Sequence, residues 1–160
     1  MTDRPQQRAR ALAFIAACTD PKQLEQMVRN ARRQNDAEIA RAAELRLYKV
    51  MPAARQGTLE HDVWQSIHAL EGSLTAERGK TTRLARTRQK IGRDGEQRTV
   101  ADLVSGKPAD GFTMLIERDM PELTFEAVAL RHRDRFDAET LSAAEKRLAA
   151  HGYQPPALRN

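Results

Sequence analysis

Cysteine, aromatic residues and long apolar runs are all scarce in this 160-residue chain, and each scarcity removes a class of protein. A single cysteine, Cys18, permits no internal disulfide, which excludes the small disulfide-stapled folds of oxidising compartments. Set among Leu12, Phe14 and Ile15, Cys18 is expected to be a small buried hydrophobe rather than a reactive thiol. Aromatics make up 4% of the chain and β-branched residues are few, so strands have little to build from, whereas abundant Ala, Leu, Arg and Glu favour helix. No apolar stretch approaches the ~20 residues of a membrane span, and the short N-terminal run is broken by Arg10, against a signal peptide. A cytoplasmic protein with no membrane partner is expected.

The motifs of common chemistries are missing as well. GKTT at 79–82 has the tail of a phosphate loop without its upstream glycine and strand. His61 and His68 lie seven apart, not at the i, i+4 spacing of helical zinc ligands, and no cysteine or third histidine is placed to complete a site. His132 and His151 are expected to be exposed or internally hydrogen-bonded. Carboxylates fall mostly at helix caps and on polar faces, with no Ser/His/Asp arrangement beside them. The expectation is a protein with no catalytic residues, no metal and no cofactor, and not an enzyme.

What the chain does have is a concentration of positive charge. Residues 78–93, RGKTTRLARTRQKIGR, hold seven basic residues and no acid, so their +7 exceeds the +5 of the whole protein. On a helix over 80–93, Arg83, Arg86, Lys90 and Arg93 recur at i, i+3, i+7 and i+10 and fall within roughly 80° of one another. Leu84 and Ile91 occupy the opposite side as a narrow docking seam, with Thr87 and the stems of Lys80 and Arg88 nearby. Such a face points to a polyanion, because phosphates relieve the repulsion among like charges and release their own counterions. No aromatic platform interrupts the stretch, which favours duplex DNA over single strands or RNA. Arg83, Arg86, Lys90 and Arg93 are the expected main contacts, with Arg78, Lys80 and Arg88 on flanking phosphates. The opposing possibility is a basic face with acidic neighbours packed against it. Residues 59–77 carry four acids and no Lys or Arg, so they can pair with the basic face across a homodimer, or the basic face can dock an acidic partner.

Periodicity and caps predict an all-α protein: an N-terminal helical hairpin module (1–55), a C-terminal cluster of short helices (56–152) with a helix-turn-helix-like outline, and a flexible tail (153–160). A first helix is expected over 5–18. Asp20, Pro21 and Gln23 form a helix-start signature, and Leu24, Met27, Val28 and Ala31 follow as an apolar face. Asn35 closes this helix, Asp36 caps the next, and Ile39, Ala43 and Leu47 form its stripe, ending before Pro52. Arg29, Arg32 and Arg33 gather at the hairpin turn, either widening a basic surface or complementing the helix dipole. Val63, Ile67, Leu70 and Leu74 mark the best heptad-like stripe, a core helix first and a dimer seam second, broken near Gly79. Downstream, Asp94-Gly95 reads as a turn, and Thr99 with Asp102 as a capping box for a helix over 100–105. Asp110, Thr124 and Asp137 read as caps of three further helices, although residues 125–132 alternate well enough for a strand.

Overall fold

The computed structural model describes residues 4–154 and is all-α: nine α-helices and two 3-10 turns, with no strand among those residues. The chain divides into two compact units, Met1–Ala53 and Ala54–Asn160.

The first unit holds α1 (Arg4–Ala17), α2 (Pro21–Arg33) and α3 (Ala37–Val50). Local chemistry sets the α2–α3 hairpin. Asp20 accepts from the Lys22 amide at 3.0 Å, and Pro21 fills the first helical position, where no N–H is needed. Asn35 takes a left-handed φ of 55°, which turns the Asp36 amide back onto the Ala31 carbonyl at 2.8 Å. Asp36 then caps α3 by accepting from the Ile39 amide. Ile15, Cys18, Leu24, Val28 and Ala43 form the core, with Met27, Ile39 and Leu47 packed on it. Phe14 departs from its expected apolar cluster: it is 52% exposed, whereas Ile15 and Cys18 are buried and Leu12 is half-buried.

The second unit is built on α4 (Leu59–Arg78), which Thr58 caps through the His61 amide. Val63 and Ile67 are fully buried and Leu70 nearly so, so the heptad-like stripe faces this chain's own core. α5 (Ala85–Asp94), α6 (Glu96–Ser105), α7 (Asp110–Glu117), α8 (Phe125–Arg131) and α9 (Ala138–Ala149) follow. α8 is the central element, with Glu126 to Leu130 all buried, and it is a helix rather than a strand because Thr124 caps it through the Ala127 amide. Glu126, buried with it, is paired with Arg147 at 2.7 Å.

Three expected helix starts move. α6 begins at Glu96 instead of Val100: Gly95, at a φ of 85°, ends α5 and starts α6 at once. Thr99 is therefore buried inside α6, with its hydroxyl donating to the Gly95 carbonyl. α7 starts one residue early, so Asp110 lies in its first turn and Ala109 takes the cap position. The third shift, at α5, decides the candidate site. In the expected flexible tail, Tyr153 packs against the core and its amide donates to the Leu148 carbonyl. Residues 155–160 of that tail lie outside the described residues.

Candidate nucleic-acid interface

α4 ends at Gly79, whose left-handed φ of 71° closes the helix through the Thr75 carbonyl. A helix starting at 80–82 does not follow. The Thr82 amide turns back to the Thr75 hydroxyl at 3.0 Å, and the Leu84 amide donates to the Glu71 carboxylate at 2.8 Å. With these amides held by α4 side chains, residues 80–84 run as an irregular connection and α5 starts only at Ala85. Leu84 and Ile91 dock on the core as the seam predicts, Ile91 being buried and Leu84 partly so. The expected basic helix over 80–93 is thus a strap followed by a ten-residue helix.

The seven basic residues fall into two sets. Arg78, Lys80, Arg83 and Arg86 are exposed and form no ion pair among the described residues. Arg83 and Arg86 flank the start of α5, which has no acid in its first turn and no side-chain cap. A helix N-terminus already carries about half a positive charge; the Glu71 carboxylate on the Leu84 amide offsets part of it, and Arg83 and Arg86 add two cations that have no ion pair among the described residues.

Of the second set, Arg88 and Lys90 are spent internally. Arg88 donates two 2.7 Å hydrogen bonds to the two oxygens of Glu71 and lies 5.2 Å from the centre of the Trp64 ring. Their side chains are only 28% and 11% exposed, so neither is free for a partner. Burial pulls the Glu71 carboxyl upward, but the Arg88 guanidinium and the Leu84 amide together hold it below the usual glutamate range. Lys90 bridges Asp94 at 2.9 Å and Asp102 at 2.8 Å. Asp94, bonded by Lys90 and then by Arg93, is lowered to about 2. Arg93 itself is 70% exposed, and its link to the adjacent Asp94 is loose, at 3.2 and 3.4 Å. Arg88 and Lys90, two of the expected contacts, are therefore already held by carboxylates of the same chain. Two of the acids that neutralise them, Glu71 and Asp102, lie 17 and 12 residues away on other helices, while Asp94 is four residues from Lys90 on α5 itself.

Beside this corner, His68 is half-buried next to Trp64. Burial first, then the charges of Arg88 and Arg83, keep its pKa below the ordinary histidine value despite Glu71 nearby. One face of the Trp64 neighbourhood is core, and its Nε1 donates to Glu96 at 3.2 Å, so the ring is occupied rather than offered for stacking.

Two further acids of α4, Asp62 and Glu60, are also engaged. Asp62 accepts from His132 at 2.7 Å, lies 3.4 Å from the Nδ1 of buried His61 and 3.5 Å from Arg131; Glu60 is 3.5 Å from Arg135. His151 packs edge-on against Phe112. Among the described residues no three His, Cys, Asp or Glu side chains are grouped to hold a metal ion, and no helix is long and apolar enough to cross a membrane. Neither a family model, nor a curated protein, nor a solved structure matches this chain.

Proposed function

We propose that the protein binds nucleic acid, double-stranded DNA ahead of RNA, through the corner between α4 and α5. Arg83 and Arg86 are the central contacts, Arg78 and Lys80 reach flanking phosphates, and Arg93 extends the strip at its far end. One observation carries this reading. Four exposed cations lie within nine residues around an uncapped helix start, with no carboxylate partner among the described residues. A phosphate there gains from the guanidinium forks and from the helix N-terminus together. Duplex ranks above single strands because the one aromatic ring at the corner, Trp64, is already packed and covered by Arg88. The role is that of a DNA-associated accessory or regulatory protein.

The alternative, a homodimer joining the acidic face of α4 to the basic face of α5, has less support. Glu60, Asp62 and Glu71 are engaged by Arg135, His132 and Arg88 of the same chain, which leaves Glu77 as the only acid of that face without an ion pair among the described residues.

The test is fluorescence anisotropy of the full chain with a labelled duplex at about 50 and 200 mM salt. Four phosphate contacts alone weaken affinity about a hundredfold across that range. Absence of binding even at low salt would sink the proposal, and a Kd independent of salt would sink the phosphate mechanism.

A further inference from the structure

The second unit holds the densest basic stretch, yet the first unit holds most of the net charge. Residues 1–53 have ten Lys and Arg against six Asp and Glu, and residues 54–160 have seventeen against sixteen. Part of that excess lies on one face of α2. Lys22, Gln26, Arg29 and Arg33 recur at i, i+4, i+7 and i+11, within about 60° of one another. All four are exposed, opposite the buried Leu24, Val28 and Ala31.

Neutral amides, not carboxylates, hold the arginines of this face. Arg29 donates to the Gln26 side-chain oxygen at 2.8 Å, Gln26 donates to Asn30 at 2.9 Å, and Arg33 donates to the same Asn30 oxygen at 2.5 Å. The chain of amides orients both guanidinium groups and leaves their charge uncompensated. Other cations of the unit are treated differently: Arg32 pairs with Glu44, and Arg8 with Asp36 and Glu38. Glu25 borders the stripe and is spaced i, i+4 from Arg29, but Arg29 turns to Gln26 instead. Helix-dipole complementation accounts for Arg33 in the last turn; it does not account for Lys22, which sits in the first turn where a cation is disfavoured.

We infer that the exposed face of α2 is a second contact surface for the phosphate backbone of duplex nucleic acid. The choice of ligand rests on the function proposed above; the surface itself is independent of the α4–α5 corner. Charge complementarity selects the occupant. Lys22 to Arg33 spans about 16 Å along the helix, close to five base-pair rises of a duplex. Pre-oriented arginines lose less side-chain freedom on binding than free ones. Contacts of this kind position the protein on the duplex and carry no base preference.

The experiment compares salt dependence of duplex binding for full-length variants. Lys22→Gln/Arg29→Gln/Arg33→Gln removes up to three contacts, so the slope of log K against log salt falls by roughly 2.7. The drop in affinity between about 50 and 200 mM salt then becomes roughly 40-fold smaller than in the parent. Arg29→Lys/Arg33→Lys keeps the charge and the slope, and Arg32→Gln, which removes a cation already paired, keeps the slope too. A triple variant with the parental slope overturns the inference, as does loss of slope in the charge-retaining pair. If the triple variant matches the parent while Arg83→Glu/Arg86→Glu loses binding, the inference falls and the α4–α5 reading stands. The reverse pattern upholds the α2 surface and removes the α4–α5 reading, and a parent that binds no duplex removes both.

Discussion

The two ends of the basic stretch have nearly the same composition and opposite fates. Arg78 to Arg86 stays charged and unpartnered among the described residues, while Arg88 and Lys90 are tied into the fold by Glu71, Asp94 and Asp102. The difference arises from the carboxylates alongside, Glu71 and Asp102 brought there by the tertiary structure and Asp94 by the next turn of α5, not from anything in the basic residues themselves. Positive charge counted along a sequence is an upper limit on the charge a surface can present.

The comparison can be broken most decisively at its exposed end. Arg83→Glu/Arg86→Glu is expected to lower duplex affinity at least a hundredfold at about 50 mM salt, since both contacts become repulsive. Lys90→Gln should change affinity less than about threefold in the same anisotropy titration. Equal losses in the two variants would erase the distinction between free and spent cations.

Stability should show the opposite ranking. Glu71→Ala strands Arg88 over Trp64 and leaves the Leu84 amide without its acceptor, a loss of about 2 kcal/mol in urea unfolding. Arg83→Gln should cost less than about 0.5 kcal/mol, as a surface substitution without a partner to lose. A Glu71→Ala protein as stable as the parent would mean that the pair does not hold α5 to α4.

Acid sharpens the same contrast. The Glu71 carboxyl is lower in the folded than in the unfolded chain, so its contribution is complete above the unfolded value of about 4.3. It is lost as pH falls through the lower folded value. The stability gap between the parent and Glu71→Gln should therefore be constant from about pH 7 to 5 and close below about pH 4. A gap that persists unchanged at lower pH would contradict the depressed carboxyl.

The smallest expected effect is a gain. Asp94→Asn/Asp102→Asn releases Lys90 and loosens Arg93, which should tighten duplex binding by a few-fold and steepen its salt dependence slightly. The stability cost should be small, as for other exposed ion pairs. Weaker binding in this variant would show that Lys90 and Arg93 do not lie beside the bound duplex.

Much of the fold was legible because it rests on short-range rules. Asp20, Asp36, Thr124 and Asp137 each accept from an amide two or three residues ahead, so their role can be read within one turn of chain. Asn35 and Gly79 mark helix ends for the same reason: both backbones turn left-handed there. The docking seam of Leu84 and Ile91 also follows from spacing alone. The misplaced start of α5 has a different origin, since Glu71 and Thr75 capture amides 13 and 7 residues further on. At α6 two local signals competed, and Gly95, which serves two helices, outweighed the Thr99 capping box.

For the candidate site, the sequence by itself determined that a dense cationic segment follows an acidic helix, and that Leu84 and Ile91 bind it to a core. Tertiary structure decided which of those cations remain available. Ion pairing at 3 Å is a matter of through-space distance and shared burial. Arg88 meets Glu71 and Lys90 meets Asp102 only once α5 has folded against α4 and α6. Neither meeting has a signature in residue spacing along the chain.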